Sequence, residues 1–275
     1  MQSANGARQA QTVGGAGGAL GGIGLFLLDL DGTFYLDGTP LPGALDFLAA
    51  LRKRGIPFAF LTNNSSRGRQ EYLDRMNGMG AQITGREILT SADATIDYLN
   101  EEGFSREILL IGTPSLAAQF EAAGFETAAP DPKAVVLGFD TTLTYDKLVA
   151  LCDAVRAGLP YIATHPDFNC PVKGGFIPDI GGVIALVEAC CGRRPDAVIG
   201  KPNGLIAKAA ANRFGVPLER ICMVGDRLYT DIALGRCGVK TALVLSGETS
   251  AEAYAKSEIR ADFVFSGIWE MADAL

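Results

Sequence analysis

The sequence predicts an α/β fold, a mostly parallel sheet that carries an inserted second α/β domain. Two observations lead there. Short apolar runs alternate with amphipathic stretches along almost the whole chain, the pattern of strands joined by crossover helices. That alternation runs once in the two flanking segments and again, with its own strands and helices, in the middle. Length agrees, since 275 residues suffice for one large or two modest domains.

In chain order, residues 1–22 are rich in Gly, Ala and Gln and hold no apolar run suited to export or to spanning a bilayer, so they predict a disordered leader. Residues 24–30 read as a buried first strand, 42–54 as a helix, and 56–61 as a second strand with Thr62 at its carboxyl end. The middle stretch reads as helix 91–102, strand 107–111, helix 114–123, strand 134–139, helix 144–157, strand 160–163 and helix 180–191. It predicts an inserted domain over 91–194, with 23–90 and 195–275 forming the core. Residues near 197–200, 220–225 and 239–245 resume the buried-strand character of that core.

Composition removes several function classes. With 48% hydrophobic and 20% charged residues the chain is a folded globular protein. A net charge of −7 argues against non-specific binding to nucleic acid or to an anionic membrane, both of which need dense Lys and Arg. It does not forbid an anionic substrate, because a metal ion and one lysine can reverse the sign inside a cleft. The six cysteines show neither metal-ligand spacing nor the density of a disulfide scaffold. They read as buried thiols of a reducing compartment, and the cytoplasm is the expected location.

The strongest chemical signal is LLDLDGTFYLDG, where a buried run ends in Asp29, Leu30, Asp31 and Gly32. Carboxylates two residues apart on extended backbone share a side, while Leu30 turns to the core and Gly32 permits a sharp bend. The carboxyl end of a central parallel strand is where open α/β sheets bind ligands. Like charges this close call for a cation or a shared proton. MVGDRLYTDI supplies Asp226 and Asp231 after another apolar run, and oxygen-only ligation suits Mg²⁺. One histidine and no Cys/His spacing disfavour zinc.

Two further strand ends complete the set. LTNNSS offers the Thr62 hydroxyl and Asn63 amide as donors to phosphate oxygens, and GKPN offers the Lys201 ammonium. Alone, each fragment has an ordinary reading as a turn, a cap or a solvated loop. Four polar clusters, each directly after a buried strand, point to one active site that collects them.

These segments resemble the signature motifs of the haloacid dehalogenase superfamily, and GDRLYTDI with LTNNSS is similar to its NagD-type branch, from about residue 24 to the end. The resemblance implies a Rossmann-like core under an α/β cap and a Mg²⁺-dependent phosphatase acting on a small phosphorylated metabolite. It implies Asp29 as nucleophile, Asp31 as general acid and base, Thr62 and Asn63 on the phosphoryl group, and Lys201 orienting the nucleophile. It further implies metal ligation by Asp29, the main-chain carbonyl of Asp31, and Asp226, with Asp231 in support. In ATHPDFNCPVKGGFIPDIGG, His165 and Asp179 stand where the branch often carries Asn and Gly. His165 and Asp167 are candidate substrate contacts in the cap, and Asp179 is a candidate cap of the helix that follows.

Rival readings are weaker. Halide displacement needs no acid at Asp31. Phosphonate cleavage would need a cap lysine, Lys173 or Lys147. A phospho-Asp signalling module, a switch that needs its aspartyl-phosphate to last, has no use for an acid/base at Asp31 or for a large cap. Gly14 to Gly24 precede the first strand, whereas phosphate loops follow one. The expected partner is a small metabolite rather than nucleic acid or membrane, and a homodimer is compatible with the sequence.

Overall fold

The computed structural model describes residues 11–12, 18–172 and 174–275. Most of the expected leader therefore lies outside the described residues, as does Lys173. Leu20, inside the expected leader, is buried and its N–H donates to the carbonyl of Ala274.

The chain forms two compact units. One takes the chain up to Phe60, then Met79–Ala81 and Ala211–Leu275; the other takes Leu61–Gly78 and Gln82–Ala210. In the first, parallel strands run in the order Phe263–Phe265, Lys240–Val244, Ile221–Gly225, Leu25–Leu28 and Phe58–Thr62, the last contributing Phe58 to Phe60. Leu25–Leu28 and Ile221–Gly225 are buried at every position, as expected of strands covered on both faces, whose sequences read as unbroken apolar runs. The chain leaves Leu25–Leu28 toward one edge and returns at Ile221–Gly225 toward the other. These two adjacent strands thus flank the point where the winding reverses, the place where open α/β sheets present their ligands.

Helix Ala44–Lys53 buries Ala44, Phe47, Leu48 and Leu51, one stripe at helical spacing. The Phe47 ring meets Phe26 of the central strand edge to face at 5.4 Å. Truncating Phe47 to Ala would cost about 3–5 kcal/mol through lost burial and the cavity left behind.

The second unit holds a four-stranded parallel sheet, ordered Ala197–Val198, Tyr161–Ala163, Ala134–Leu137 and Ile108–Ile111. Helices Ser91–Glu101, Pro114–Ala122, Tyr145–Arg156 and Ile180–Cys191 begin at Thr90, Thr113, Thr144 and Asp179, whose side chains accept the otherwise unpaired first N–H groups. Val135, Leu151, Val155, Tyr161, Ile180 and Val187 form part of its core.

The segment 91–194 falls wholly within this unit. The strand near 197–200, expected in the core sheet, belongs here instead: Ala197 and Val198 pair with Ile162 and Ala163. Two residues suffice for a strand, and so short a run carries no mark of which sheet it will join. An antiparallel hairpin, Asn169–Val172 with Gly175–Pro178, also had no sequence signal; it exposes Val172 and Phe176 instead of alternating buried and exposed positions.

Candidate active site

Asp29 directly follows the Leu25–Leu28 strand, and its N–H donates to Val224, 2.9 Å, extending the ladder by one residue. Leu30 is buried, Asp29 half-buried and Asp31 exposed, the alternation the sequence predicts. The Tyr35 hydroxyl donates to Asp31, 3.0 Å, and holds that carboxylate in place. Asp226 follows the neighbouring strand. It accepts from the Thr33 hydroxyl, 3.3 Å, and from the Glu248 N–H, 2.6 Å.

Asp231 is fully buried on the turn Leu228–Ile232 and accepts from the Arg227 N–H, 3.1 Å. Carboxylate oxygens of Asp29, Asp226 and Asp231 all lie within 4.8 Å of one another.

Glycines make this packing feasible. A Cβ at Gly32, whose φ is +80°, or at Gly247 would collide with the Asp226 carboxylate, and one at Gly225 with that of Asp231. Electrostatics then dominate. Burial, followed by the charges of Asp29 and Asp231, pushes the Asp226 carboxyl from 3.8 up to about 7. Arg227 is pushed up in turn: burial opposes its charge, but Asp29, Asp226 and Asp231 outweigh burial. Its Nε lies 3.1 Å from Glu248 without hydrogen-bond alignment, so it acts here as a neighbouring charge. One guanidinium does not balance three acids, and an all-oxygen set of this kind fits a hard divalent cation. Arg227 lies inside the quoted motif, yet nothing in its residue type announced this role.

The other predicted residues lie in the second unit. Thr62 is buried, and its oxygen accepts from the Asn64 N–H, 3.2 Å, so its own proton can still be donated. The side chain of Asn63 departs from expectation. Its carbonyl accepts from the Lys201 N–H, 2.8 Å, and its amide donates to the Lys201 carbonyl, 2.9 Å, and to both oxygens of Asp167, 3.2 Å each. With both ends engaged in this way, the side chain holds the lysine loop. Lys201 is buried, and its ammonium reaches the Leu61 carbonyl, 3.3 Å.

The cap residues are engaged as well. His165 is fully buried; Nε2 pairs with Asp179 at 2.9 Å and Nδ1 with the Thr164 hydroxyl at 3.0 Å, which leaves no ring nitrogen for a substrate. Asp167 is engaged by Asn63. Asp179 caps helix Ile180–Cys191, as predicted, by accepting from the Ile180 N–H, 2.6 Å. Lys147 is tied to Asp140, Gly112 and Thr142, which removes it as a Schiff-base lysine.

Comparisons with known proteins agree with this chemistry. The family described as haloacid dehalogenase-like hydrolase matches residues 26–126, and the one described as HAD-hydrolase-like matches residues 198–271. A 4-nitrophenylphosphatase from Thermotoga maritima superposes with a TM-score of 0.90 at 46% identity, covering 93% of this chain and 98% of that one. Dihydroxyacetone phosphatase of Corynebacterium glutamicum is 32% identical over 249 residues, 90% of each chain. 5'-Nucleotidase YutF of Bacillus subtilis is 31% identical over 228 residues, 82% of this chain and 89% of that protein.

Proposed function

We propose, from the premise that this chain belongs to the NagD-type branch of the haloacid dehalogenase-like hydrolases and is a phosphatase, that it hydrolyses small phosphomonoesters through an aspartyl-phosphate on Asp29. The observation that carries this reading is the placement of Asp29 and Asp31 at the carboxyl end of a central strand, with the Asp226 and Asp231 carboxylates gathered about Asp29. Sugar phosphates and nucleotides are the substrate class that fits, since the named relatives include a dihydroxyacetone phosphatase and a 5'-nucleotidase.

An oxygen of Asp29 attacks phosphorus as the ester P–O bond breaks, and Asp31 gives its proton to the departing alkoxide. Asp31 then takes a proton from water, whose oxygen attacks phosphorus. The bond to Asp29 breaks, inorganic phosphate leaves, and the site returns to its starting state, Asp29 as carboxylate and Asp31 as the protonated acid. Thr62 donates to a phosphoryl oxygen, the Asn63 main chain lies on the same loop, and Lys201 neutralises phosphoryl charge. Asp29, Asp226 and the main-chain carbonyl of Asp31 would hold Mg²⁺, with Asp231 in support, and the bound ion would offset negative charge on the transferring group. An acid/base at Asp31 makes the phospho-enzyme short-lived, which separates this chain from a signalling module.

Residues 91–194 supply the cap that selects the substrate. The chain works on metabolites rather than nucleic acid; among its described residues no helix is long and apolar enough to cross a membrane. The test is rapid-quench trapping with radiolabelled 4-nitrophenyl phosphate and Mg²⁺. Label should appear on wild-type protein and disappear in Asp29→Asn, which stays folded; label or turnover retained in that variant refutes the assignment.

A further inference from the structure

The second unit contains a largely buried polar network whose histidine and two carboxylates the reaction steps leave unused. Asp167 grips the amide of Asn63, and that amide brackets Lys201 by bonding both its N–H and its carbonyl. His165 lies within the same cluster, with ring and carboxylate atoms of His165, Asp167 and Asp179 all within 4.8 Å. Its Nε2 is bound to Asp179, its Nδ1 to Thr164, and the Thr164 hydroxyl in turn meets Ser65, 3.0 Å. The Thr164 carbonyl accepts from the Gly200 N–H, 2.8 Å, and a Cβ at Gly200 would collide with Asn63, His165 and Thr164. The lysine loop is thus pressed against the histidine loop with no room for even a methyl group.

We propose that His165 is a positioning residue for the phosphatase reaction: as a buried cation paired with Asp179 it keeps Asp167 ionised, and so keeps the Asn63 clamp closed on Lys201. This inference rests on the phosphatase reading, in which Lys201 neutralises the phosphoryl group. Groups charged or titratable around the imidazole are Asp179 at the helix start, Asp167 on its own loop and Lys201 opposite; the fourth neighbour is the ring of Phe139, 6.5 Å between centroids. Burial works against the imidazolium, but Asp179, by hydrogen bond and charge, and then Asp167 outweigh burial and Lys201, raising His165 above its ordinary 6.5. Burial raises Asp167, and the His165 charge is the leading influence that lowers it again. Once the imidazole loses its proton, half-buried Asp167 loses the leading charge that opposes its desolvation and keeps only the weaker influence of Lys201 and the Asn63 hydrogen bond, so it takes up a proton more readily and loosens its hold on Asn63.

His165 is the only histidine of the chain, so untagged protein labelled at histidine gives a single imidazole signal in NMR. The expected midpoint lies above 6.5, and kcat for 4-nitrophenyl phosphate falls on the alkaline side at that same midpoint. Asp179→Asn removes the strongest partner and should move both the NMR midpoint and the kcat limb to lower pH by about one unit or more. His165→Asn should lower kcat about 10- to 100-fold with little change in KM and abolish the limb.

A second measurement needs no variant. Inorganic phosphate with Mg²⁺ should shift the wild-type imidazole signal, because coupling between two sites is reciprocal. A kcat limb that keeps its place in both variants, or an imidazole indifferent to phosphate, overturns the proposal. Absence of wild-type turnover on any phosphomonoester would instead sink the phosphatase reading itself.

Discussion

Asp226→Asn should stabilise the metal-free protein while disabling it. Asp226 is almost fully buried beside two other acids, and its carboxyl titrates near 7 in the fold against 3.8 ordinarily. Keeping it ionised in the fold therefore costs on the order of 4 kcal/mol at neutral pH, at about 1.4 kcal/mol per tenfold in proton affinity, a cost that belongs to the cluster as a whole. The sign follows from linkage. A carboxyl whose folded value is raised destabilises the fold only above its unfolded value, and the penalty grows from about pH 4 until it saturates near pH 7. An amide removes the charge but weakens the charge-assisted bond from the Glu248 N–H and the one from the Thr33 hydroxyl, returning about 2 kcal/mol. The net gain is about 2 kcal/mol at pH 8, a rise of roughly 4–8 °C in Tm for a protein of this size, and nothing at pH 4. Thermal melts of both proteins in EDTA at pH 4 and pH 8 measure it, with a parallel pair in Mg²⁺. Wild type should gain Tm from Mg²⁺ and the variant little. A metal-free variant that melts below wild type at pH 8, or with the same pH dependence, refutes the electrostatic account.

Three further outcomes are expected. Gly247→Ala drives a methyl group into the Asp226 carboxylate, so half-saturation by Mg²⁺ should rise at least tenfold in an activity titration and in a calorimetric one. Asp31→Asn should lower kcat about 10²–10⁴-fold, the usual worth of general acid–base help, while leaving the Mg²⁺ thermal shift intact because its side chain is not needed to hold the ion. Asn63→Ala strands the Lys201 N–H, its carbonyl and the Asp167 carboxylate, and chemical denaturation should show a loss of about 3–5 kcal/mol in the second unit together with a fall in kcat.

What the sequence made legible was whatever is local. Asp29 and Asp226 stood out because each ends an apolar run that folds as an inner strand, and burial on both faces leaves a continuous hydrophobic signature. Helix Ile180–Cys191 was read to the residue because Asp179 caps it and Gly192 ends it in the left-handed region. The partners of the Asn63 side chain were not legible, for the opposite reason. A Thr-Asn-Asn after a strand looks like a set of donors awaiting a ligand, and the partner that occupies Asn63, Lys201, is 138 residues away. His165 and Asp179 were noticed as departures from the branch pattern, but that they depart together as one ion pair appears only when the loop 164–169 folds back on the helix start.

The Asn63 clamp follows from what a buried lysine demands. Lys201 is 3% exposed, and an ammonium removed from water must be placed accurately, because a small displacement forfeits the attraction that offsets its desolvation. A strand ladder would place it, but Ala197–Val198 ends before the lysine, and a glycine is required at 200 by the approach of Thr164 and His165. Asn63 supplies the missing neighbour: its side-chain amide accepts from the Lys201 N–H and donates to the Lys201 carbonyl, as a peptide group of an adjacent strand would. Glutamine could not reproduce this without moving the strand end, and aspartate would lose the donor and face Asp167 with a like charge. Asn63→Asp should therefore damage the enzyme more than Asn63→Ala despite its closer shape. The order of stability in chemical denaturation without phosphate or Mg²⁺, wild type above alanine above aspartate at pH 7.5, distinguishes a clamp from a phosphate donor, for which the repulsion from aspartate would appear only once substrate is bound.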